Sequence, residues 1–168
     1  VDSTWTPFYL KRFFVIHDPV TTKMALLDLI ARSGGDWQQP LFEHFQHDSN
    51  ALIRRSIVEM TRRLNTVQKA DFLRQASTDQ SSIVRAAAMR ELAYCKGIDI
   101  HKEIEDGLRD ADPEVLKFAA RTAGWAGLES LTETLEALLS HNESDVRFHS
   151  LNALKRIDLR RAQAIASE

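Results

Sequence analysis

Residues 79–92 read Asp-Gln-Ser-Ser-Ile-Val-Arg-Ala-Ala-Ala-Met-Arg-Glu-Leu, and the frame of that stretch returns every 31 residues. Ile53, Val84, Val115 and Val146 stand in one column, with Arg54, Arg85, Leu116 and Arg147 beside them. Four residues past the first column come Ile57, Ala88, Ala119 and Ser150, then Thr61, Leu92, Ala123 and Leu154, then Leu64, Cys95, Ala126 and Ile157. Five positions before it lie Asp48, Asp79, Asp110 and His141. Self-similarity at a fixed period is the mark of a repeat architecture.

The apolar and small columns lie four apart with a second set at three, which is one face of a helix. Asn50, Ser81 and Asp112 share a column and suit an N-cap. Pro113 follows Asp112 at the first helical position, where a missing N–H is harmless. Gly34, Asn65, Gly97 and Gly127 stand where each first helix should end, since they tolerate a left-handed backbone. A second, shorter helix follows. Its buried column reads Phe42, Leu73, Ile104 and Leu135, with Phe45, Ala76, Gly107 and Leu138 three residues on.

Each unit is therefore a helical hairpin that hides its apolar face only by stacking on its neighbours. The expected fold is all-α: a right-handed α-solenoid of about five hairpins forming one domain over 1–168. The units run 17–47 (degenerate, with Asp18-Pro19 displaced by one position), 48–78, 79–109, 110–140 and 141–168. Ser150 and Arg160-Arg161 suit a closing unit whose outer side faces water. Residues 1–16 lie outside the repeat. Thr6-Pro7 opens an aromatic helix carrying Phe8, Tyr9, Phe13, Phe14 and Ile16, with Lys11 and Arg12. That helix is expected to cap the first hairpin, the alternatives being contact with a neighbouring domain or with a lipid surface.

The Asp79 to Ala88 pattern of Asp, four residues, Val-Arg and a run of alanines, and the Asp110-Ala-Asp-Pro-Glu-Val stretch, resemble bacterial HEAT-like repeats of the phycobilin-lyase type. The resemblance covers 48–157 well and 17–47 loosely. It implies the solenoid fold and leaves function open, because the architecture serves many tasks. It also implies a structural ladder in which Arg54, Arg85 and Arg147, with Asp48, Asp79 and Asp110, tie neighbouring units together; Leu116 interrupts it.

Composition narrows the function classes. A net charge of −2 and a pI near 6.3 give no overall case for binding nucleic acid or an anionic membrane. No run of 18 apolar residues exists to span a bilayer. The single cysteine, Cys95, falls in a helical segment as a small core residue and is compatible with a reducing compartment, so a cytoplasmic setting is favoured. The chain opens at Val1 with no signal peptide, as a fragment or a processed form would.

Candidate chemistry is sparse. Glu43, His44, His47 and Asp48, with His17 one row above Asp48, form the best set of metal-ligand types, yet a His-x-x-His pair near a helix end is common. No metal and no cofactor is expected. Met89-Arg90-Glu91-Leu92-Ala93-Tyr94-Cys95 is similar to the sequence around the iron-binding His-Glu dyads of deoxyhypusine hydroxylase. Arg90 stands where the histidine should be, and no His-Glu pair occurs in the chain, which excludes that activity. DNA glycosylases are also built from HEAT-like repeats and need a basic inner curve. Here the second helices of the third and fourth units, expected to line that curve, carry Asp99, Glu103, Glu105, Asp106, Glu129, Glu133 and Glu136 against Lys102 alone. Trp37 and Trp125 fall near turns, where they would plug seams between hairpins; the third tryptophan is Trp5. No nucleophile motif is present, and no catalytic residue is expected.

The expectation is a protein-interaction module, not an enzyme. An acidic ridge of Glu103, Glu105, Asp106, Glu133 and Glu136 would meet a basic segment of a protein partner. Two rival readings stand beside it: a lyase-like, cofactor-handling protein, and nucleic-acid binding by the first-helix cations Arg54, Arg55, Arg62, Arg63, Arg85, Arg90, Lys117 and Arg121.

Overall fold

The computed structural model describes residues 46–63 and 66–158, together with Val20, Lys23 to Ala25 and Leu27 from the preceding segment. The expectations that fall on the N-terminal helix, on most of the first unit and its His17, Glu43 and His44, on Trp5 and Trp37, and on Arg160-Arg161 lie outside the described residues.

Four first helices, α1 Ala51–Met60, α3 Ser82–Leu92, α5 Pro113–Ala126 and α7 Ser144–Ile157, begin 31 residues apart. Between them run the second helices α2 Thr66–Ala76, α4 His101–Gly107 and α6 Thr132–Ala137. Among the described residues there is no strand. The chain is an all-α solenoid of stacked hairpins.

The repeat columns are the core. Ile53, Val84, Val115 and Val146 are buried, as are Ile57, Ala88, Ala119 and Ser150 in the next column, and Leu73, Ile104 and Leu135 on the second helices. First helices pack on one another, α1 on α3, α3 on α5 and α5 on α7, while each second helix rests on the first helix that follows it. Small residues make this close packing possible. A Cβ on Gly124 of α5 would lie 2.6 Å from the Ala153 Cα of α7, so that crossing admits only glycine without displacement.

Helix starts follow the sequence with one difference. Asn50 Oδ1 accepts the Leu52 N–H at 2.8 Å, and Asp112 Oδ1 accepts the Glu114 N–H at 2.9 Å. Ser81 occupies the N-cap position, but its side chain makes no capping bond. At the other end, Gly127 closes α5 with φ at 65°, as its position predicts. Gly97 does not end α3, which stops at Leu92 and tightens into i→i−3 turns through Tyr94 and Cys95. Cys95 consequently sits in that turn, outside the helix, yet it is buried and free. Burial pushes its thiol up, which leaves it protonated and inert.

Three core assignments need correction. Ala126, the last residue of its helix, is exposed. Trp125, in the last turn of α5, plugs no seam and is 46% exposed. Ser150 is not turned toward water: it is fully buried, and its hydroxyl has no hydrogen-bond partner. The earlier columns hold Ile57, Ala88 and Ala119 at that place, so α7 presents a polar atom to an apolar slot. Ser150→Ala should therefore raise stability by about 1 kcal/mol, read as a higher midpoint in thermal or urea unfolding.

Candidate functional site

The aspartate column works through two bonds at once. Asp48, Asp79 and Asp110 each accept, through Oδ1, the backbone N–H two residues on, at 2.8 to 2.9 Å, which shapes the turn into the next first helix. Each carboxylate also receives a cation from the unit before it. Arg54 donates from Nε and Nη2 to both oxygens of Asp79 at 2.7 Å, and Arg85 does the same to Asp110 at 2.7 and 2.9 Å. The remaining Nη1 of each arginine donates to carbonyls of its own turn, those of Asp48 and Ser49 or of Asp79 and Gln80. A planar five-donor fork fits this double task and an ammonium does not.

The ladder extends further than the sequence pattern suggests. Lys23 Nζ lies 3.2 Å from Asp48 Oδ2, the same 25-residue offset as the two arginine rungs. Lys23 is one period before Arg54, so the spacing was there to find; the displaced Asp18-Pro19 obscured the first unit. The ladder stops where both of its members are replaced, Leu116 being buried in the cation column and His141 standing in the acid column. His141 keeps half the role: its Nδ1 accepts the Glu143 N–H at 3.1 Å. Arg147 holds only the carbonyls of His141 and Asn142 and stays exposed.

The ladder makes stability acid-sensitive. Burial by itself would raise the carboxyls of Asp79 and Asp110. The arginine hydrogen bonds, the backbone N–H groups and the nearby guanidinium charges outweigh it and hold both below the ordinary carboxylate value. A carboxyl whose folded value is depressed contributes stability that is complete above the unfolded value and is lost as pH falls through the folded one. Thermal midpoints should therefore fall below about pH 4, and less so in an Asp79→Asn, Asp110→Asn variant than in the parent.

The ridge residues lie on two consecutive second helices. Asp106 on α4 and Glu133 on α6 are exposed, and Glu105 and Glu136 occupy the same repeat column, both half-buried. Glu103 turns away from them toward α2, where Arg74 Nε lies 3.3 Å from Oε1. Arg109 donates to Glu105 at 2.8 Å. Two of the ridge acids are thus paired, Glu103 with Arg74 and Glu105 with Arg109, and Asp106 and Glu133 are its exposed members.

The first-helix cations form a largely self-neutralised network. Arg54 and Arg85 belong to the ladder. Arg55 and Arg90 share Glu59 at 3.0 and 2.8 Å, and Arg62 grips Glu91 through Nε and Nη2 at 2.7 and 2.9 Å. Lys117 pairs with Glu114. Glu91 is fully buried, and Arg90 Nε lies 3.3 Å from the same Oε1 that Arg62 Nη2 holds. Its position beside Arg90 gave no sequence sign of this role, since glutamate on a helix is ordinarily exposed.

Among the described residues no group of three His, Cys, Asp or Glu side chains gathers as metal ligands. His47 is exposed, and Asp48 is engaged by Lys23. Nor, among them, is any helix long and apolar enough to cross a membrane. No curated protein matches the chain. Residues 102–167, which hold all of α5, α6 and α7 and most of α4, match the family model of HEAT repeats, so this part of the solenoid is HEAT-like in sequence as well as in form.

Proposed function

We propose that the chain is a protein-interaction module whose second-helix ridge meets a basic helix, tail or loop of its partner. The observation that carries this reading is the placing of Asp106 and Glu133 as exposed acids on successive second helices, beside the shared column of Glu105 and Glu136. Most first-helix cations are held in ion pairs within their own layer, and each second helix packs mainly on the first helix that follows it. HEAT repeats generally serve as scaffolds for protein partners, and the match at 102–167 supports extending that role to this chain. Exposed charges of one sign on such a surface set encounter rate and specificity more than raw affinity.

Asp106 and Glu133 are the residues to reverse. Glu103 is unsuitable, because a lysine there would face Arg74 and disturb the fold. Affinity capture from the source cell with the parent and with an Asp106→Lys, Glu133→Lys bait should yield proteins held only by the parent. Their association should weaken about tenfold or more and lose most of its salt dependence in the reversed bait. Partners captured equally by both baits, with unchanged affinity, would refute the ridge as the binding surface.

A further inference from the structure

Among the described residues, Arg121, Lys155 and Arg156 at the far end of the first-helix layer hold no carboxylate, whereas Arg90 and Arg62, at the places equivalent to Arg121 and Lys155 in earlier units, hold Glu59 and Glu91. Arg121 and Trp125 of α5, with His149, Asn152, Lys155 and Arg156 of α7, line a cleft of about 340 Å³ that has no carboxylate in its wall. The reason is in the repeat. Arg90 reaches one unit back to Glu59; Arg121, one period later, finds Arg90 at the equivalent place. Its Nε–H is buried and has no acceptor. In Arg54, Arg62 and Arg85 that same Nε and Nη2 edge is filled by both oxygens of a carboxylate. The Arg121 guanidinium lies over the Phe118 ring at 4.8 Å and the Trp125 ring at 5.3 Å, and Arg156 approaches the Trp125 ring at 5.9 Å. Stacking holds the guanidinium plane, and with Nε buried it is the Nη groups at the cleft that are left to meet a ligand.

We propose that this cleft binds a single phosphate monoester, with two of its oxygens on the Arg121 Nη groups and its remaining charge met by Lys155 and Arg156. Two negative charges match these three cations better than one carboxylate does, and a guanidinium fork donates to phosphate oxygens in pairs. The surroundings favour one phosphate over a nucleic-acid strand. Arg55, Arg62, Arg90 and Lys117 already hold carboxylates, so among the described residues the layer offers no run of free cations for a phosphate backbone to follow. His149, whose pKa is lowered by burial and then by the charges of Arg121 and Lys117, completes the wall. The site lies on the first-helix layer and does not depend on the acidic ridge.

The test is to follow the Arg121 Nε–H and Asn152 side-chain amide resonances of the full chain by NMR while inorganic phosphate is added, with chloride at equal ionic strength as control and the Asn152 amide as the reporter in the variants. A saturable shift with phosphate and none with chloride is expected, and Arg121→Gln should weaken binding about tenfold or more. Should that variant fail to fold, the exposed Lys155→Gln serves in its place. Two further probes separate the sources of the phosphate: a short peptide with one phosphoserine, against its unmodified form, and phenyl phosphate. Tighter binding of the phosphopeptide assigns the site to a modified protein, and tighter binding of phenyl phosphate assigns it to a small ligand. No saturable shift with any of these probes would overturn the proposal. So would unweakened binding in the variant, or affinity for single-stranded oligonucleotides that climbs with their length.

Discussion

Val115→Asp should abolish the cooperative thermal transition of the chain. Val115 is fully buried in the first column of α5, between the first helices on either side, α3 and α7. A carboxylate there meets apolar side chains, and keeping it charged or protonating it both draw on the folding free energy. Losses above about 4 kcal/mol arise from this kind of change, and domains of this size hold only about 5–15 kcal/mol in all. Circular dichroism should show a broad, non-cooperative melt. A parent-like melt would mean that the column does not face the core.

Leu92→Ala and Leu135→Ala should each lower stability by about 2–5 kcal/mol, through lost apolar transfer and the cavity left behind. Both side chains are fully buried, one on a first helix and one on a second. They therefore test the two layers of the stack separately, by urea unfolding with m-values compared. If only Leu92→Ala reached that range, the second helices would be loosely applied, and a partner seated on them would find a deformable surface. Equal losses would give the ridge a firm base.

The architecture was legible because its period is a property of the sequence. Every unit must present the same face to its neighbours, and Ile53, Val84, Val115 and Val146 recur at one spacing for that reason. The arginine–aspartate ladder came with the HEAT-like resemblance, and both bidentate rungs stand where the pattern puts them. What escaped the sequence is polar and particular to one unit. Lys23 replaces arginine in a unit with a displaced start, Glu91 is buried by two arginines from different units, and Ser150 is a polar atom in an apolar column. Trp125 was misplaced because a tryptophan near a helix end reads equally as a seam plug or a surface platform. Only the positions of Tyr94, 6.2 Å away edge to face, and of Arg121 and Arg156 distinguish the two.

The ridge was legible as composition but not as electrostatics. The second helices are acidic by count, yet Arg74 reaches Glu103 from α2, and Arg109 folds back onto Glu105. The same logic reverses the reading of the arginine-rich first helices, whose charge is mostly spent on Asp79, Asp110, Glu59 and Glu91. Sign and location of charge are sequence facts; which charges remain unpaired depends on a register between units.

That register is best tested by a double-mutant cycle on one rung, with Arg85→Ala, Asp110→Ala and the pair compared in equilibrium unfolding. The rung is bidentate and mostly buried, with side chains 20% and 12% exposed, and it joins two units across 25 residues. A coupling energy of about 1.5–3 kcal/mol is expected, each single change stranding the other's charge. A coupling below about 0.5 kcal/mol would contradict the account, leaving apolar contact alone to hold the units in line.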